Sequence, residues 1–73
     1  MRAFHGTDTP EKRDSILREG FREGTWFAFN IRDALHYGGP YVFEAEFDPA
    51  LFSEGVDWQF HILKPLPASV IIH

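Results

Sequence analysis

Four histidines, His5, His36, His61 and His73, are the first side chains here that could do chemistry. Their spacings match no paired-ligand pattern, such as two ligands one helical turn apart, so no metal centre is expected. Ser15, Ser53 and Ser69 lack the turn context of an activated nucleophile. Neither a Gly-x-Gly-x-x-Gly nor a Walker sequence is present to cradle phosphate. Three pieces, in order, carry more. Phe4-His5-Gly6-Thr7 comes first, and Gly24-Thr25-Trp26-Phe27-Ala28-Phe29 follows, with Ala34, Tyr37 and Gly38 behind it. Trp58-Gln59-Phe60-His61-Ile62 is the third. Each also has a plainer reading. His5 can bond to backbone at a strand end, Trp26 and Tyr37 can be core aromatics, and Gln59 and His61 can sit on a solvated strand face.

The elements that must position these residues are short. Arg2 to His5 reads as a strand that runs into a turn at Gly6-Thr7-Asp8. Thr9 offers its hydroxyl as an N-cap and Pro10 takes the first helical position. That helix should run to about Glu19 and stop at Gly20 in a left-handed conformation. Trp26 to Phe29 is an apolar strand, and Asn30 caps a second helix from Ile31 to about Tyr37. Tyr41 to Asp48 alternates: Tyr41, Phe43, Ala45 and Phe47 on one face, Glu44, Glu46 and Asp48 on the other. Those carboxylates are therefore the wet face of a strand before they are an acid–base pair. Pro49 closes that strand, and Ala50 to Asp57 is a loop with room for one helical turn. Trp58 to Leu63 alternates again, with Trp58, Phe60 and Ile62 on one face and Gln59, His61 and Leu63 on the other. Ser69 to Ile72 supplies a last β-branched strand. Five strands against two helices favour an α+β fold with a mostly antiparallel sheet.

Composition narrows the function classes. A chain of 73 residues without cysteine leaves room for one small domain, here residues 1–73, and no disulfide framework. Such a chain buries only roughly 60% of its unfolded surface. Eight phenylalanines, two tryptophans and two tyrosines supply an efficient core. Lys and Arg number 7 against 11 Asp and Glu, a net charge of −4, which disfavours general nucleic-acid binding. No apolar run approaches the ~20 residues of a membrane span, and no signal segment opens the chain. A soluble, cytoplasmic protein is the expectation; the lack of cysteine suits a reducing compartment.

Together the three pieces resemble the ADP-ribosyltransferase superfamily, in its poly(ADP-ribose) polymerase and diphtheria-toxin branch. That branch has a strand ending in His-Gly-Ser/Thr, a Gly-x-Tyr-Phe-Ala strand followed by a helix with a second Tyr, and a later strand opened by Glu. The resemblance spans nearly the whole chain, which is short for such a domain. A tyrosine eleven positions after the aromatic of the second piece strengthens it. It implies that NAD is bound as substrate. It assigns His5 to a ribose hydroxyl, the backbone of Gly6 to the nicotinamide carboxamide, and Thr7 to a further hydroxyl contact. Trp26 and Tyr37 would sandwich the nicotinamide, an electron-poor cation between two aromatic faces. Only glycine would let the ligand come so close at Gly6.

The departures bear on catalysis. Ala34 stands where the family often has serine, removing one carboxamide contact. Gln59 takes the position of the triad glutamate, or His61 does if the alignment slips by two. Neither supplies negative charge to a developing ribosyl cation. Glu54 and Asp57 are the loop carboxylates that could stand in. The leading expectation is a mono-ADP-ribosyltransferase-like protein with a divergent His5, Trp26, Gln59 triad. The alternative keeps the fold but discards the enzyme, leaving a binding or inhibitory module that acts on a protein partner. An RNA 2′-phosphotransferase-like activity is disfavoured by the absence of a basic patch. A single cleft further requires that the strand ending at His5 lie beside the Trp58–Leu63 strand. A structure that places His5 and Gln59 on opposite faces of the sheet would end the ADP-ribosyltransferase comparison.

Overall fold

The first helix, α1, forms where its caps put it, over Pro10–Glu19. Thr9 accepts a hydrogen bond from the Lys12 amide, Pro10 needs no donor in the first turn, and the Gly20 N–H closes on Ile16 O. Gly20 is not left-handed helical, however: its φ of 84° and ψ of −157° lie in a region almost reserved for glycine. The second helix, α2, covers Ile31–Gly38, one residue longer than expected, with the Asn30 side chain accepting from the Asp33 amide. The computed structural model describes residues 1–48, 50 and 57–72. The expectations at Pro49, Ser53, Glu54 and His73, and most of the Ala50–Asp57 loop, lie outside the described residues.

Among the described residues five strands make one sheet: β1 (Arg2–Thr7), β2 (Trp26–Ala28), β3 (Tyr41–Glu46), β4 (Gln59–His61) and β5 (Ile71–Ile72). Every ladder is antiparallel, and the order is β4-β2-β1-β3-β5. This is a small α+β fold. Three expectations need correction here. Ala68–Val70 is a 3-10 turn, so the last strand begins at Ile71 and not at Ser69. β1 does not turn at Gly6-Thr7, because Val42 and Tyr41 extend its ladder across those residues. Nor does β1 lie beside β4. Both its edges are taken, by β2 and β3, so β2 stands between the His5 strand and the Gln59 strand.

Register assigns the faces. Phe4 faces Ala28, and Ala28 faces Gln59, so these three side chains share one side of the sheet. Ala3, His5, Phe27, Phe43, Ala45 and Phe60 share the other. That second side carries the core, where Phe21, Phe27, Phe60 and Ile62 are fully buried. Phe47, Leu66 and Ile71 complete it, and α1 closes it through Ile16. The other side is covered by α2, which packs across β1, β2 and β3. Glu44 and Glu46 fall on this α2 side, and Arg2 pairs with both. Among the described residues no helix is long and apolar enough to cross a membrane.

Candidate functional site

A cleft of about 290 Å³ opens between the end of β1, α1 and the turn leading to β2. Its polar lining is His5, Thr7, Lys12, Ser15, Arg22 and Thr25, over a floor of Ile16, Gly20 and Phe21. Helical spacing explains part of the set: Lys12, Ser15 and Ile16 lie three and four residues apart, on one face of α1. Thr25 is fixed by its hydroxyl, which donates to Arg22 O at 2.6 Å. Lys12 is oriented by Asp8, whose carboxylate lies 3.0 Å from its ammonium. The guanidinium of Arg22 has no ion-pair partner among the described residues. Two cations and three hydroxyls thus converge, in a chain of net charge −4, with Asp8 paired to Lys12 and Glu19 accepting from Ser15 at the edge of the lining. Such a lining suits an anionic ligand rich in hydroxyl groups.

His5 is the aromatic hinge of this cleft. Its Nδ1 lies 2.8 Å from Trp26 O. A carbonyl only accepts, so Nδ1 carries the proton and Nε2 of the neutral ring is left as an acceptor. Phe21, Trp26 and Phe27 surround the ring at centroid distances of 5.8, 5.3 and 5.8 Å. Burial pushes the imidazole pKa down from its ordinary value, and the Trp26 hydrogen bond opposes that only in part. A folded-state pKa below the unfolded one means the unfolded chain binds more protons in between. The stability that neutral His5 contributes is therefore complete above about pH 6.5 and is lost as pH falls through the folded-state value. Thermal unfolding followed from pH 8 to pH 5 should show the midpoint falling, and His5→Gln should flatten the part of that slope below about pH 6.5. An unchanged slope in the variant would remove His5 as its source.

The other expected site residues are placed differently. Gly6 is buried, and a Cβ there would strike Ala34 O and come within 3.0 Å of Gly38 Cα. Close approach is what Gly6 permits, but the approaching group is α2 and not a ligand. Ala34, fully buried, is part of the same contact. Trp26 is half-buried and touches His5, while Tyr37 is largely exposed and stacks on Trp58, with centroids 4.4 Å apart at 23°. So the described rings do not form a Trp26–Tyr37 pair; each has another partner. Gln59 and His61 both point to the α2 side, Gln59 half-buried opposite Ala28 and His61 exposed opposite Trp26. His5 and Gln59 therefore face opposite sides of the sheet, two strands apart, and no single-cleft triad forms. Asp57 is exposed.

Lys12 and Arg22 carry no signal of their own in the sequence, Ser15 enters there only as a nucleophile without context, and Thr25 only as a member of the second piece. The signal available was the helix face shared by Lys12, Ser15 and Ile16; nothing local announced that Arg22 would turn towards it. Among the described residues no three His, Asp or Glu side chains gather as a metal site needs. No protein-family model, curated protein or solved structure matches this chain.

Proposed function

We propose that this chain binds NAD, or a closely related dinucleotide, across the end of its sheet. The supporting observation is the His5 cleft, cationic and hydroxyl-lined within an acidic chain. Its volume lies at the small end of ligand pockets, enough for one half of a dinucleotide. Lys12 and Arg22 would hold the pyrophosphate, and Nε2 of His5 would accept from a ribose hydroxyl. His5 and Gln59 lie on opposite faces, the placement that ends the ADP-ribosyltransferase comparison as the sequence posed it, so the reading rests on the His5 cleft and is restricted to a ligand that reaches both sides of the sheet. The second half of the dinucleotide would pass the Thr7–Trp26 end of the sheet to the α2 side, where Tyr37 offers an aromatic face. A two-headed ligand needs no shared face for His5 and Gln59, which a compact one would. A cytoplasmic location belongs to the same proposal. Cleavage of NAD is expected to be slow, because Gln59 and His61 bring no carboxylate to the ribose.

Calorimetric titration of NAD and of ADP-ribose tests this reading. Both should bind, and Lys12→Ala and Arg22→Ala should each weaken them about tenfold, the low end for a charged hydrogen bond given that both side chains face solvent. Folded protein that takes up neither ligand at millimolar concentration would refute it. A second reading, a module acting on a protein partner, draws on Phe29, Ile31 and Leu35, apolar side chains left about half exposed on and beside α2.

A further inference from the structure

We infer that the His5 cleft holds the phosphate monoester of a small sugar as a complete ligand, its phosphate on Lys12 and Arg22 and its hydroxyls on β1. The inference deepens the reading above, and it rests on the same cleft and on nothing across the sheet. Thr7 is the side chain that points to a ligand. It lines the cleft at only 5% exposure, and its hydroxyl has no hydrogen-bond partner among the described residues. No side-chain oxygen or nitrogen closed off from solvent lacks a partner among those residues, so the Thr7 hydroxyl must open on the cleft. Ser15 and Thr25 are already committed, donating to Glu19 at 3.2 Å and to Arg22 O at 2.6 Å. Thr7 is thus the lining hydroxyl with its proton free. His5 stands two residues away on the same strand face, and its Nε2 opens on the cleft by the same reasoning, since only Nδ1 is bonded.

The cleft therefore has two walls of different chemistry. On β1 sit an acceptor and a hydroxyl, which suit a polyol and oppose an anion, whose oxygens would face the Nε2 lone pair. The cations come from α1 and the turn after it. Arg22, without an ion-pair partner among the described residues, offers a planar fork for two oxygens. Lys12 gives one donor to Asp8 and keeps others for a ligand. A phosphate monoester has three terminal oxygens, enough for the fork and for Lys12 together. An internal phosphate of a dinucleotide has two. The floor decides the organic part. Phe21 is 2% exposed and its ring already meets His5, Phe27 and Phe43, so it has no open face for a base. Ile16 and Phe21 leave a small apolar floor for the C–H face of one sugar ring, in a volume of about 290 Å³.

Calorimetry above pH 7 with ribose 5-phosphate, inorganic phosphate and ADP-ribose tests the assignment. Ribose 5-phosphate should bind roughly 5–160-fold more tightly than inorganic phosphate, the worth of two hydrogen bonds. Thr7→Val removes the hydroxyl and keeps the shape. It should weaken ribose 5-phosphate roughly 2–13-fold and leave inorganic phosphate unchanged, and Thr7→Ser should restore the loss. A merely structural role for Thr7 would move both ligands alike. Equal affinities in the wild type, or a Thr7→Val effect that does not separate the two ligands, overturns the inference; the wild-type comparison decides alone if Thr7→Val does not fold. If ADP-ribose binds and ribose 5-phosphate does not, the inference falls and the dinucleotide reading survives. If ribose 5-phosphate binds and neither NAD nor ADP-ribose does, the dinucleotide reading falls and the inference stands.

Discussion

Gly20→Ala should destabilise the fold by about 2–6 kcal/mol. Two terms add. The backbone there, at φ 84° and ψ −157°, strains any side chain by roughly 1–3 kcal/mol. A Cβ would also strike Leu66 O and stand 2.7 Å from both Pro67 C and Ala68 N, an overpacking worth roughly 1–3 kcal/mol. Leu66 cannot retreat cheaply, since it exchanges two backbone hydrogen bonds with Phe21, each 2.8 Å. A domain of 73 residues has roughly 4–11 kcal/mol to lose. Gly24→Ala is the control, because Gly24 has the same positive φ of 84° but nothing within 4 Å of its would-be Cβ. It should cost only roughly 1–2 kcal/mol. Urea unfolding of the two variants decides the matter, and equal costs would mean that the contact with the 66–68 segment carries no weight. The consequence reaches function, because Gly20, Phe21 and Arg22 carry the chain along the floor of the His5 cleft.

Much of this was legible locally. Thr9-Pro10 and Gly20 bracket α1, Asn30 starts α2, and the alternation of Tyr41 to Phe47 separates core from solvent correctly at Phe43, Ala45 and Phe47. Strand neighbours were not legible, because alternation says which face a residue takes and nothing about which strand lies alongside. That is why β2 between β1 and β4 came from the structure alone. Trp58 shows the same limit in miniature. Period-two counting groups it with Phe60 and Ile62, yet the turn at residues 57–58 takes it out of the strand and onto Tyr37. Gly6 carried a true signal with an ambiguous source, since a glycine at a close approach does not say what approaches. Arg22 is the reverse case: its role depends on a bend at Gly20 that brings a loop residue to the face of α1, and no periodic pattern records it.

Gln59→Glu should raise NAD hydrolysis about 10²–10³-fold. Loss of nicotinamide leaves positive charge on the ribose, and a carboxylate fixed beside it stabilises the transition state more than the ground state. An amide in that position offers dipole without charge. One such electrostatic contact is worth about 2.7–4 kcal/mol, which gives the stated factor. Gln59 is the better position than His61 on the α2 side. It is half-buried opposite Ala28, whereas His61 is exposed and a charge placed there would be screened by water. His61→Glu should accordingly give a smaller gain. A half-buried new carboxylate can hold its proton near neutral pH, so nicotinamide release should be followed up to about pH 9. The rise with pH would report the introduced carboxyl group ionising, a signature that mere repacking cannot produce. If both variants fold and bind NAD but release nicotinamide no faster than the wild type, the ribose does not reach this side of the sheet. Binding would then be confined to the His5 cleft, and the chain would be a nucleotide-binding module without transferase chemistry.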